Sequence, residues 1–139
     1  MSNSKLGIKP QIRRQFDLIS DAAGSDIVMV ISPATVAPAP LSTAWTRTVN
    51  ISIENAAGDV HDWFSGSFAT TLSIADTSTA GTASIASTTL VITDGVASVT
   101  VSGDAQDWLD TETDTLTIAN ITIMGVTVTG GTSVETFTA

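Results

Sequence analysis

Few residues of this chain have the side chains that bond-making chemistry needs. The single histidine, His61, is followed by Asp62, and together with one of the many serines they would compose a nucleophilic triad. The chain has no cysteine or tyrosine, and no G-x-S-x-G turn presents a serine as nucleophile. We therefore predict that His61 is a turn residue beside Trp63, and that the protein is not an enzyme and needs no cofactor.

Carboxylates are concentrated in one stretch, at Asp104, Asp107, Asp110, Glu112 and Asp114. Oxygen ligands clustered in a loop are what Ca²⁺ prefers in proteins. The spacing does not match the EF-hand pattern, and the intervening Trp108-Leu109 pair is typical of an apolar anchor. A Ca²⁺ site and a solvated acidic loop both stay open as interpretations, and we predict no metal ligands.

The three tryptophans offer a second kind of chemistry, because flat aromatic rings on a β-sandwich can stack against sugars. Trp45 shares strand parity with Val49 and Ile51, which places it in the core. Trp63 and Trp108 lie in or near predicted loops. They are our candidates for surface binding, with burial as loop anchors as the alternative.

Charge is distributed very unevenly along the chain. The first fourteen residues contain four cations and no acid, whereas the remainder has one arginine and fourteen acidic residues, so +4 and −13 sum to the net charge of −9. A body this acidic repels nucleic acid, so we expect no nucleic-acid partner. The basic segment either contacts an acidic partner surface or is a solvated tail.

The 139 residues suffice for one domain preceded by an arm. We assign residues 1–25 to a basic N-terminal arm and residues 26–139 to the domain. Pro10 can open a short helix and Gly24 can end it. An apolar stripe at helical spacing lies between them. The residues that we predict to hold the arm in an assembly are Lys5, Lys9, Ile12, Arg13, Arg14, Phe16 and Ile19.

No apolar run reaches the length of a membrane span, and no signal-peptide pattern follows the basic residues. The lack of cysteine fits synthesis in a reducing cytoplasm. We therefore expect a protein made in a host cytoplasm, with no export signal and no membrane partner.

From Asp26 onward the pattern is that of β-strands. Predicted strands are Ile27–Ile31, Trp45–Glu54, Phe68–Ala75, Thr82–Ile85, Thr113–Met124 and Val134–Phe137, besides the two of the hairpin below. The apolar phase slips near Asn120, which predicts a bulge or bend there. Many short strands separated by turn residues predict an all-β protein, an immunoglobulin-like antiparallel β-sandwich.

The strongest local signal is the Asp94-Gly95 pair, which favours a two-residue type I′ turn. Such a turn would pair Thr93 with Val96 and, further out, Leu90 with Val99. The predicted hairpin places one face in the core, namely Leu90, Ile92, Ala97, Val99 and Val101. Val91 is the one apolar residue out of phase.

Three segments resemble the bacterial immunoglobulin-like domains of the Big and invasin type. They are Val49–Gly58 (VNISIENAAG), TLSIADTSTAGTASI and TTLVITDGVASVTVSGD. The hairpin strand Thr93–Val101, with its "T-D-G-V-A-x-V-T-V" pattern, contributes most of the specificity. The similarity covers roughly residues 27–139 and leaves the arm outside.

The resemblance implies two functions. Domains of this type occur on tailed-phage virions and on bacterial adhesins, and a single copy with its own basic arm favours the first. We expect a virion protein that decorates or reinforces the capsid through its arm, with a capsid or other virion protein as partner. Self-association into a homo-oligomer such as a trimer stays open. The alternative is a carbohydrate- or cell-surface-binding module of a phage tail or an adhesin.

Overall fold

The computed structural model describes residues 27–123 and 125–139, in which strands and loops alternate. The strands, numbered in chain order, are β1 (Val28–Ser32), β2 (Thr35–Val36), β3 (Trp45–Glu54), β4 (Gly66–Phe68), β5 (Leu72–Asp76), β6 (Ala83–Ile85), β7 (Leu90–Ile92), β8 (Val96–Gly103), β9 (Thr113–Ile118), β10 (Ile121–Ile123), β11 (Val126–Val128) and β12 (Gly131–Thr136). The predicted arm helix and all the assembly residues proposed for residues 1–25 lie outside the described part.

Two four-stranded sheets form a β-sandwich, as predicted. The first sheet has the order β1-β3-β8-β6 and the second β2-β12-β9-β5. If the main strands β1, β3, β5, β6, β8, β9 and β12 are lettered A to G, these orders are A-B-E-D and G-F-C, which is the immunoglobulin arrangement. The chain passes from the first sheet to the second at Pro33, where β2 joins β12 in parallel.

Strand β3 shows why the two sheets pack together. Val49, Ile51 and Ile53 alternate with polar residues, and their side chains are buried between the sheets. Leu116 and Ile118 of β9 contribute to the same core from the opposite sheet. Because a strand turns successive side chains to opposite faces, the period-2 pattern of the sequence is enough to fix which residues point inward.

The Asp94-Gly95 turn forms as predicted, but the strands that it joins separate. Asp94 and Gly95 have φ angles of 52° and 81°, as a type I′ turn requires, and Thr93 pairs with Val96. Beyond that bridge the predicted pairing was wrong, because β7 pairs with β4 and β8 pairs with β3 and β6. The predicted core face is nevertheless confirmed, since alternation fixes the face of a residue and not its partner strand.

Two other predicted strands are interrupted. The strand predicted from Phe68 to Ala75 is divided into β4 and β5, and Thr70 between them has a φ of 57°. The bend predicted near Asn120 is confirmed, because β9 ends before it and β10 begins after it. The Asn120 Oδ1 accepts a hydrogen bond of 2.9 Å from the Gly130 backbone N–H, which holds the bend.

The ends of β3 define two poles of the sandwich. At the entry pole, Glu54 pairs with Val28, the first residue of β1. At the aromatic pole, the ring of Trp45 lies 5.2 Å from that of Trp108 and 5.8 Å from that of Phe137. A ten-residue strand is roughly 30 Å long. Residues 1–26 therefore join the sandwich at an edge strand, far from the aromatic pole.

Candidate functional site

The tryptophans do not form a shared surface. Trp108 is fully buried at the aromatic pole, which corrects its assignment as a surface-binding candidate. It closes the core because its indole N–H donates to the Asp104 carbonyl at 3.3 Å and its ring packs on Phe137. Trp45 packs against the core as predicted. Trp63 is half-buried, 5.5 Å from the His61 ring, and is the candidate that retains exposed surface.

Several carboxylates of the acidic stretch accept hydrogen bonds from backbone N–H groups of the loops. Glu112 accepts hydrogen bonds of 2.9 Å from the backbone N–H groups of Thr79 and Leu109. Asp104 and Asp110 accept similar bonds from the N–H groups of Thr82 and Ala139. Among the described residues no group of three or more acidic or histidine side chains is placed to hold a metal ion.

Another acid of that stretch, Asp114, belongs to a buried polar cluster between the sheets. Arg47 of β3 donates from Nε to Asp114 Oδ1 at 3.1 Å, and its Nη2 forms an ion pair with the same oxygen. Arg47 also donates to the Ser133 hydroxyl at 2.8 Å and to the Ser133 carbonyl at 3.1 Å. Glu135 lies beside Arg47, with 3.9 Å between Oε2 and Nε. The cluster thus combines one cation with two carboxylates.

Glu135 and Asp114 are opposite each other on neighbouring strands. Asp114 Oδ2 and Glu135 Oε1 are buried and have no hydrogen-bond partner among the described residues. Burial is the largest cause that raises the pKa of Glu135 to about 7. A hydrogen bond with Asp114 and charge repulsion from Asp114 raise this pKa further, and the charge of Arg47 opposes the shift. Protonation would turn the Glu135 carboxyl into a hydrogen-bond donor toward Asp114 and remove the repulsion between the two carboxylates.

Sequence reasoning missed this cluster, although the necessary signal was present. Arg47 has the same parity as Trp45 and Val49, and Asp114 has the same parity as Leu116. A charged residue in phase with the core residues of its strand must either find a buried partner or distort the strand. One inward cation and inward acids on other strands therefore predict a buried ion pair.

We expect the protein to lose stability as the pH rises from about 4.5 to about 7. Glu135 has an ordinary pKa of 4.5 when unfolded and about 7 when folded, so the folded state binds more protons between these values. The free energy of unfolding should fall across this interval by up to about 3 kcal/mol. Chemical denaturation at several pH values measures it.

Glu135→Gln is the matched control, because an amide keeps the shape and cannot ionise. The free energy of unfolding of this variant should not decline between pH 4.5 and pH 7, and the same decline in both proteins would contradict the assignment to Glu135.

Below pH 4.5 we expect stability to fall as the pH falls. The N–H groups of Leu109 and Thr79 hold the pKa of Glu112 below its usual range, so protonating Glu112 costs stability.

The exposed valine side chains are concentrated near the entry pole, the end of the sandwich opposite Trp45. Val28 and Val30 of β1 point outward, and Val30 and Val96 both pair with Ser52 of β3. Val91, the residue out of phase in the sequence, is 57% exposed. Val30, Val91 and Val96 line one open groove of about 940 Å³. We call it the valine groove, and it lies beside the strand through which residues 1–26 enter the domain.

Polar and acidic groups surround the valine groove. Its other lining residues include the carboxylates Glu54 and Asp94 and the hydroxyls of Ser52 and Ser98. Among the residues that the structure describes, no lysine or arginine lines the groove. The groove therefore combines exposed valines with carboxylates and hydroxyls, which suits a segment that combines apolar and basic side chains.

Comparisons with known proteins give no family for this chain. No protein-family model matches it, and no curated protein is significantly similar to it. A membrane-crossing helix, which would need a long apolar stretch, is not found in the residues that the structure describes.

Proposed function

We propose that this chain is a non-enzymatic structural protein of a tailed-phage virion, an immunoglobulin-like module that decorates or reinforces the capsid through residues 1–25. The proposal rests on the resemblance of residues 27–139 to immunoglobulin-like domains of the Big and invasin type. The strand order of the sandwich is compatible with it. The virion is the proposed location, and a capsid or other virion protein is the proposed partner.

The place where the arm joins the sandwich is the observation that carries the mechanism. Residue 27 leads directly into β1, an edge strand of the first sheet, at the entry pole. An arm bound to a particle would hold the sandwich by this pole and present the aromatic pole roughly 30 Å away. The acidic body would then keep neighbouring particles apart by charge repulsion.

Deleting residues 1–25 should abolish binding to virions and leave the sandwich folded. The described core is formed by residues of β3, β9 and their neighbours, all of which remain. Binding is measured by co-sedimentation with phage particles from the same genome that lack this protein. Folding is measured by the thermal midpoint, which should shift by no more than a few degrees.

A variant with the residues of the arm in scrambled order is the matched control, because it keeps the length and charge but not the apolar stripe at helical spacing. We expect it to bind as poorly as the deletion. Binding by the truncated protein would remove the arm from the mechanism. Recognition of a glycan on an array without binding to particles would favour the carbohydrate-binding alternative, for which Trp63 is the remaining candidate residue.

A further inference from the structure

We propose that, in the free chain, the apolar stripe Ile12, Phe16 and Ile19 docks intramolecularly in the valine groove. This inference concerns the protein before it meets any partner, so it holds or fails independently of the proposed virion function. Its basis is the composition of the groove, its position and its size.

Composition makes the two surfaces complementary. The stripe consists of three apolar side chains, and cations flank it at Lys9, Arg13 and Arg14. The groove presents Val30, Val91 and Val96, and the carboxylates Glu54 and Asp94 are also among its lining residues. Apolar contact would supply the affinity, and the charges would select the orientation, because exposed ion pairs contribute little by themselves.

The arm joins the sandwich close enough to the groove for the stripe to reach it. Phe16 is twelve residues before Val28, and Val28 precedes Val30, which lines the groove, by two residues on the same face of β1. A segment of twelve residues spans at most roughly 40 Å, which is more than the width of this small sheet. Tethering of this kind gives an effective concentration in the millimolar range.

The small apolar surface of the groove favours the chain's own arm, and not a second copy of the chain, as the occupant. The three valines that line the groove are each between 38% and 57% exposed. That apolar surface is far smaller than the ~800 Å² per partner of a stable interface between separate molecules. Contact too weak to hold a second molecule is still populated when the ligand is tethered beside it. Attachment to a virion would then require the stripe to leave the groove.

Paired cysteines test the docking, because the native chain has none. The full-length variant Gln15→Cys/Val96→Cys places one thiol beside Phe16, with the three side chains of the stripe intact, and one in the groove. The matched control is Gln15→Cys/Ala57→Cys, because Ala57 is exposed and close to Glu54 at the entry pole but does not line the groove. Both variants are oxidised mildly at low protein concentration.

We expect an intramolecular disulfide between positions 15 and 96, formed at least about tenfold faster than between positions 15 and 57, since docking raises the effective concentration at one site alone. Non-reducing electrophoresis and peptide mass analysis identify the product. Equal rates in the two variants would overturn the proposal. A disulfide-linked dimer through position 96 would also overturn it, because a second copy would then occupy the groove.

Discussion

Arg47→Met should lower the free energy of unfolding by about 3–5 kcal/mol. Methionine removes the one cation of the buried cluster and leaves Asp114 and Glu135 between the sheets without it. It also removes the donors to Ser133. Urea denaturation at pH 8 measures the loss, since Glu135 of the unmodified protein is mostly ionised there and its interaction with Arg47 is then fully present.

The triple variant Arg47→Met/Asp114→Leu/Glu135→Leu is the informative control. Replacing all the charges of a buried cluster with apolar groups of similar volume is often neutral or stabilising. We therefore expect the triple variant to recover most of the stability that Arg47→Met loses, although Asp114→Leu alone remains destabilising. Additive losses in the three substitutions would show that the side chains act independently and not as one cluster.

Gly95→Val should lower the free energy of unfolding by about 2–6 kcal/mol, for two separate reasons. The φ of Gly95 is 81°, a conformation that a β-branched residue adopts only under strain. A Cβ at this position would also lie 2.5 Å from the carbonyl oxygen of His61. The turn is fixed on both sides, because Gly95 donates to the Phe64 carbonyl and accepts from the Ile53 N–H.

Gly125→Val separates these two causes. Gly125 has a φ of 78°, but a Cβ there would have no neighbour within 4 Å. This variant should lose about 1–3 kcal/mol from backbone strain alone. Thermal or chemical denaturation of both variants gives the difference, which measures the packing of the 60–61 segment against the turn. Equal losses would mean that this segment moves aside without cost.

The cluster and the turn also indicate which substitutions the fold should tolerate. Each holds together segments that are distant in sequence: Arg47 connects β3 to β9 and β12, and Gly95 connects the turn to the loop before Phe64. A substitution of Arg47 therefore disturbs contacts in both sheets, and a substitution of Gly95 disturbs the contacts of the turn with two other segments. Substitutions on the outer face of β3, such as at Thr46 or Thr48, meet solvent and should be tolerated.

The sequence by itself determined the fold class, the core face of the strands and the Asp94-Gly95 turn. These features depend on local rules, because alternation decides which side of a strand is apolar and positive φ restricts the residues of a tight turn. The bend near Asn120 was predictable for the same reason. The residues of the arm were identified by charge and spacing, and their role stays a prediction.

Only the tertiary structure decided which strands are neighbours, and with them the sites. The pairing of β8 with the distant strand β3, and not with β7 next to it in sequence, is a choice that local alternation leaves open. The burial of Trp108 depends on Phe137 and Trp45, which no local pattern brings to the same pole. Arg47, Asp114 and Glu135 meet because three strands converge, and Val30, Val91 and Val96 form a groove because three others do. Local sequence fixes which face of its strand a side chain lies on. The packing of the two sheets fixes which residues that side chain contacts.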